Sequence, residues 1–169
     1  MLKTRMRRPV VPLVLLLLGA ASLSHGGVAR ADPSPTAPVG GSANAGAAPF
    51  QGQAMYRAFH ETAGIRHVVD RAVDLGAADP RIADIFENKD LPHLKRMLFE
   101  QFCYLLNGPC EYTGKDMKTA HEDMGLRMSD FNALVEDLQR AMNEEGVAFY
   151  AQNRLLAKLA PMERVTVER

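Results

Sequence analysis

Apolar spacing is the strongest constraint on what this chain can become. Leu94, Leu98, Phe102 and Leu105 recur at intervals of four, four and three residues, and Phe131, Leu134, Val135, Leu138 and Met142 continue the same rhythm. That is the period of an amphipathic helix, and no alternating run supports a strand, so the expected class is all-α. Breaks are expected at Gly64, at Ala77 to Pro80, at Asn107 to Pro109, at Gly114, before Ser129 and at Gly146, which divides the foldable part into five or six helices. Pro92 suits a helix's first turn, where its missing N–H costs nothing, and Ser129 is placed to cap the helix that carries Phe131.

The N-terminal third follows different rules. Lys3, Arg5, Arg7 and Arg8 precede the apolar run "VVPLVLLLLGAA", and Ala29-Arg30-Ala31 has the small-residue spacing of a cleavage site. Residues 1–31 therefore read as a secretory signal peptide, and the mature chain is expected to be exported, periplasmic or secreted. An uncleaved anchor is the alternative, but the run is shorter than the roughly 20 apolar residues that span a bilayer, so no stable membrane span is expected after cleavage. Residues 32–53, "DPSPTAPVGGSANAGAAPFQGQ", are Pro-, Gly- and Ala-rich with a single charge; they read as a disordered tether. The folding segment is then 54–167, enough for one core.

Charge excludes one class of partner. Five of the 20 basic residues and none of the 20 acidic ones lie in residues 1–31, so the mature chain carries 15 basic against 20 acidic side chains. A net charge near −5 with no basic stripe does not suit a phosphate backbone, and no nucleic-acid partner is expected.

Four histidines remain after cleavage: His60, His67, His93 and His121. None forms an HExxH pair or stands with cysteines at zinc spacing, and there is no nucleophile elbow or Gly-rich phosphate loop. The segment "NGPCEYTGKDMKTAHEDMGL", however, resembles the region around the proximal haem ligand of group 1 truncated haemoglobins. The pieces are Gly108-Pro109, Tyr112 to Gly114, Met117, and His121 seven residues after Gly114. The resemblance continues through "GIRHVVD", "DPRIADIF" and "LPHLKRMLFEQF", from about Met55 to about Pro161.

The resemblance implies a two-over-two helical sandwich around haem b, with His121 on the iron and a diatomic gas as ligand on the opposite face. It implies Phe86 flat against the haem, Met117 as a flexible filler on the porphyrin, and Gly114 where a side chain would interfere. The second ring nitrogen of His121 is expected to donate to a backbone carbonyl or an acidic group, Glu122 and Asp123 being adjacent. On the distal side the sequence departs from the family's pattern. Val73 stands where oxygen-retaining members carry a tyrosine, and Leu94 and Leu98 occupy the haem-facing positions of the distal helix, with Gln101 deeper along that face. His93 adjoins Leu94, and the resemblance leaves it open as a second axial ligand from the distal side, yet one helical residue turns a side chain by about 100°, toward the pocket edge.

Cys103 and Cys110 are the only cysteines. In one unbroken helix they would lie about 10.5 Å apart along the axis, too far to bridge. Asn107, Gly108 and Pro109 end the helix between them, so a disulfide at the start of the proximal loop is expected; a buried Cys103 beside a free Cys110 thiol is the alternative. Three functions fit these residues. One is a haem protein that binds oxygen, nitric oxide or carbon monoxide reversibly; the second is a haem enzyme for peroxide or nitric oxide detoxification, which would need an external reductase. The third is a haem-free helical module with a structural His121.

Overall fold

The computed structural model describes residues 43–168. The signal segment expected over 1–31 and the first part of the tether lie outside the described residues. Eight α-helices follow in order: α1 (Ala54–Ala58), α2 (Glu61–Ala78), α3 (Ala83–Phe86), α4 (Leu91–Leu105), α5 (Met117–His121), α6 (Met128–Glu144), α7 (Phe149–Leu159) and α8 (Glu163–Thr166). Two 3-10 turns, Ala43–Ala45 and Ala160–Met162, complete the set, and there is no strand among the described residues.

The long helices form where the apolar period is sustained. α2 packs against both α4 and α6, and α6 against α7, giving a two-over-two sandwich. Phe59, Ile65, Val68, Val69, Phe102, Cys103, Leu138, Met142 and Leu155 fill the main core. At roughly 1.5–3 kcal/mol for each large side chain taken from water, this contact is the chief source of helix stability. A second, smaller cluster joins Ala45, Tyr104, Leu105, Tyr112, Met117 and Met162. Among the described residues no helix is long and apolar enough to cross a membrane.

The chain is punctuated mostly where expected. Asp90 caps α4 by accepting from the His93 N–H at 3.0 Å, and Pro92 lies in the first turn. Asn107 takes a left-handed φ of 65° after α4, and Gly146 one of 75° after α6. Two expectations are corrected. Gly64 lies buried inside α2; the break comes earlier, at His60 and Glu61, whose φ values are 56° and 60°. α6 begins at Met128, so Ser129 is inside it, and the Asp130 carboxylate accepts the Arg127 N–H at 2.9 Å.

The tether also needs correction, because residues 45–53, expected to be disordered, are packed and hydrogen-bonded. Ala45 is fully buried, and the Phe50 N–H donates to the Leu105 carbonyl at 2.8 Å. Gln101, Lys158 and Asn107 donate to the carbonyls of Ala45, Ala48 and Gly52. Few side chains are buried here, and backbone pairing carries the order instead.

Candidate functional site

α4 and α6 share a gradient of burial. On α4, Leu94, Met97 and Leu98 are half-buried, whereas Phe99 and Phe102 through Leu105 are buried. On α6, Phe131 and Val135 are half-buried and Leu134 is 38% exposed, while Leu138 and Met142 are buried. The apolar stripes therefore run beyond the core that protein atoms complete. Phe86 and Met124 are also half-buried.

His121 closes α5 and is itself half-buried. Its Nδ1 lies 2.7 Å from the Met117 carbonyl oxygen. A carbonyl only accepts, so Nδ1 carries a proton, and in the neutral ring the lone pair is left on Nε2. This settles the expected acceptor: it is the carbonyl one turn back, and Glu122 and Asp123 stay exposed. Lys118 is likewise exposed.

A five-residue helix does not hold itself together, so neighbouring groups must hold α5. Asp116 caps it, accepting the Thr119 N–H at 3.0 Å and the Thr119 hydroxyl at 2.7 Å. The Thr119 backbone bond, with the hydroxyl bond beside it, holds the Asp116 carboxyl below the ordinary carboxylate range. Ahead of it, the Glu100 carboxylate on α4 accepts the Thr113 N–H at 3.0 Å and its hydroxyl at 2.6 Å. The Tyr112 hydroxyl donates to the Lys115 carbonyl at 2.7 Å, and burial, aided by the charges of Glu100 and Asp116, pushes its pKa up. A Cβ at Gly114 would sit 2.3 Å from the Tyr112 hydroxyl oxygen, which explains the glycine by close approach.

Met117 and Phe86 also make contacts within the protein. The Met117 side chain is buried in the second cluster, its sulfur accepting from Gln101 Nε2 at 3.2 Å, so it reaches the site through its carbonyl. The Phe86 ring lies against Gly76 of α2, where a Cβ would come within 2.9 Å of the ring.

Of the residues expected on the distal side, Val73 is 1% exposed and Leu94 and Leu98 are half-buried. Most donor-bearing side chains of α2 and α4 have partners elsewhere. Thr62 pairs with Tyr56, Arg66 lies over the Phe99 ring, His67 faces Glu145 and Arg71 pairs with Glu144. Lys95 pairs with Asp74, and exposed His93 takes a bond from Arg96 at 3.0 Å. Tyr104 is buried in the second cluster. Gln101, expected deeper along the distal face, is turned to the Ala45 carbonyl at 3.0 Å and to Met117.

Among the described residues no group of three or more His, Cys, Asp or Glu could hold a metal. A lone imidazole with a free Nε2, in a fold whose long helices leave apolar side chains incompletely covered, suits an iron that arrives with its own equatorial ligands. Residues 54–168 match the family of bacterial-like globins. The chain belongs to that family. The group 1 truncated haemoglobin of Tetrahymena pyriformis is 37% identical over 70 residues, 41% of this chain and 58% of that protein. A Nostoc sp. relative of the same name is 30% identical over 84 residues, 50% of this chain and 71% of that protein. The match thus spans less than two thirds of the first curated relatives, 58% and 59% of their lengths. A solved Fe(III) form of a variant of the Tetrahymena pyriformis protein superposes with a TM-score of 0.66 at 26% identity, covering 69% of this chain and 100% of that one. The family's haem cofactor fits the donor set of this globin: one oriented imidazole, apolar walls, and no competing ligand turned inward from α2 or α4.

Sequence reasoning anticipated a backbone carbonyl or an acidic group at His121 without singling out Met117, and it missed Glu100 and Asp116. Asp116 did carry a signal, an acidic residue three before a threonine at a helix start. A backbone carbonyl carries none.

Proposed function

We propose that this globin holds haem b on His121 and reversibly binds oxygen or another diatomic ligand, nitric oxide or carbon monoxide, on the side of α2 and α4. One observation carries the reading: Nδ1 of His121 is held by the Met117 carbonyl at 2.7 Å, which leaves Nε2 free and oriented. When bound, haem supplies an iron with one open coordination position. The carbonyl fixes the tautomer of His121 and raises its basicity toward the metal. Val73, Leu94 and Leu98 keep water out and offer no hydrogen bond, so the site favours ligands that need no donor. Optical spectra of the ferric, ferrous and carbon monoxide forms test this. One haem per chain is expected, five-coordinate when ferrous, with most of it lost in His121→Ala. Full haem occupancy and an unchanged imidazole signature in that variant would sink the assignment.

The mature chain is proposed to work outside the cytoplasm, periplasmic or secreted. Support comes from the basic, apolar and small-residue order of residues 1–31 and from a Cys103–Cys110 disulfide, a bond that persists in oxidising compartments. An external reductase is the proposed electron source wherever the iron must be re-reduced. N-terminal sequencing of protein recovered from periplasm or medium should begin near Asp32; a chain still starting at Met1 there would contradict cleavage.

A further inference from the structure

We propose that the Cys103–Cys110 disulfide is a thiol-redox gate on cofactor retention: closed, it holds the loop carrying His121 against α4, and opened by a dithiol reductant it frees that loop. The two cysteines are joined with their Cα atoms 5.7 Å apart. Cys103 belongs to α4 and Cys110 to the segment that leads to α5.

Three neighbouring α4 residues anchor the segment between Leu106 and His121, beside Asn44 donating to the Gly114 carbonyl, Gln53 donating to the Asn107 carbonyl, Asn107 donating to the Gly52 carbonyl, and α8 packed on α5. Glu100 accepts both bonds from Thr113, Gln101 donates to the Met117 sulfur, and Cys103 is bonded to Cys110. The Cys103 carbonyl also accepts the Gly108 N–H at 2.8 Å. These anchors differ in strength. Hydrogen bonds at the exposed Thr113 compete with water, and a thioether is a weak acceptor. The disulfide alone is covalent, and the five-residue α5 cannot keep its place without outside support.

The pair is asymmetric in a way that permits opening without unfolding. Cys103 is fully buried in the main core, whereas Cys110 is only partly buried beside it. A dithiol's thiolate therefore attacks the Cys110 sulfur, the S–S bond breaks, and Cys103 leaves as a thiolate that takes up a proton. The reductant's second thiol then closes its own disulfide and expels Cys110, which is protonated in turn. Two electrons and two protons pass from the dithiol to the protein. A reduced Cys103 remains a small apolar side chain in the core, so α4 keeps its packing while the loop loses its covalent anchor. The chain would thus retain haem in an oxidising compartment and release it where dithiols are plentiful.

The haem part of this proposal rests on the function proposed above, so the test has two arms on the full chain. In the first, hydrogen exchange of the haem-free protein is followed with and without dithiothreitol. Reduction should speed exchange in residues 107–121 and leave α2 and α6 unchanged; unchanged exchange in 107–121 would overturn the gate. In the second, ferric protein is mixed with excess haem-free scavenger globin. Cys110→Ser and the double variant Cys103→Ala/Cys110→Ser should lose haem about tenfold faster than the unaltered chain, and dithiothreitol should accelerate only the latter. Loss rates within about twofold of one another would count against it. A chain that takes up no haem at all would refute the function, and the exchange arm would then decide the gate alone.

Discussion

α5 and α4 bear on the same site and are built on opposite terms. α5 has five residues and contributes little to the main core; His121 is positioned by the Met117 carbonyl, the Asp116 cap and anchors from Glu100, Gln101 and Cys103. α4 has fifteen residues and stands on buried Phe99, Phe102, Cys103 and Leu105, and its His93, Lys95 and Gln101 side chains are turned to other partners. The difference follows from what each side must do. Aiming a single lone pair at a metal requires an orientation, which hydrogen bonds supply and apolar packing does not. Excluding water and withholding a donor requires only apolar bulk.

The largest effect should therefore come from the proximal side. His121→Ala is expected to remove most of the haem, and with it the stabilisation that haem gives by mass action, about 4 kcal/mol when free haem is 1,000-fold above its dissociation constant. The melting temperature of the variant should match that of the haem-free chain. Leu98→Ala, on a half-buried distal position, should keep the cofactor. Equal haem loss in the two would erase the contrast between the sides.

A smaller effect should follow from the cap. Asp116→Ala removes both bonds to Thr119 and should speed haem loss a few-fold, whereas Asp116→Asn, which still accepts at a cap, should not. The two variants also separate in pH. Because the Asp116 carboxyl is held below its ordinary range, its contribution is complete above the unfolded-state pKa and disappears as pH falls through the lowered, folded one. Haem retention in the unaltered chain should weaken across that acid range more steeply than in Asp116→Asn. Parallel acid profiles for the two would show that the cap does not hold the proximal helix.

Much of this contrast was legible in the sequence, though unevenly. α2, α4 and α6 were legible because their apolar period persists for several turns, while α1, α3, α5 and α8 are four or five residues long and leave no period to read. His121 was legible through its neighbours, and the Cys103–Cys110 bridge through the chain break at Asn107 to Pro109. The order in residues 43–53 was hidden because it rests on backbone carbonyls that accept from Gln101, Lys158 and Asn107, and composition says nothing about carbonyls. The same blindness covered which carbonyl faces His121: it is that of Met117, whose sulfur accepts from Gln101.

The smallest effect sharpens the distal side of the comparison. Oxygen becomes polarised on binding and gains from a donor, whereas carbon monoxide gains less, so a site that offers none should release oxygen quickly. A neutral hydrogen bond is worth about 1 kcal/mol net, and restoring one should slow oxygen dissociation roughly five-fold if association is unchanged. Val73→Tyr supplies a phenol at a position that is now apolar, but Val73 is 1% exposed and a tyrosine there risks overpacking. Leu94→Gln is the companion variant, because Leu94 is half-buried and an amide of similar length needs little new room. Stopped-flow dissociation of oxygen and carbon monoxide from all three proteins decides the matter. Slower oxygen release in either variant, with carbon monoxide nearly unchanged, is the expected result. Slow release in the unaltered protein that accelerates in Gln101→Leu would mean that Gln101 leaves Ala45 and Met117 to serve the ligand, and the distal side would then be as polar as the proximal one.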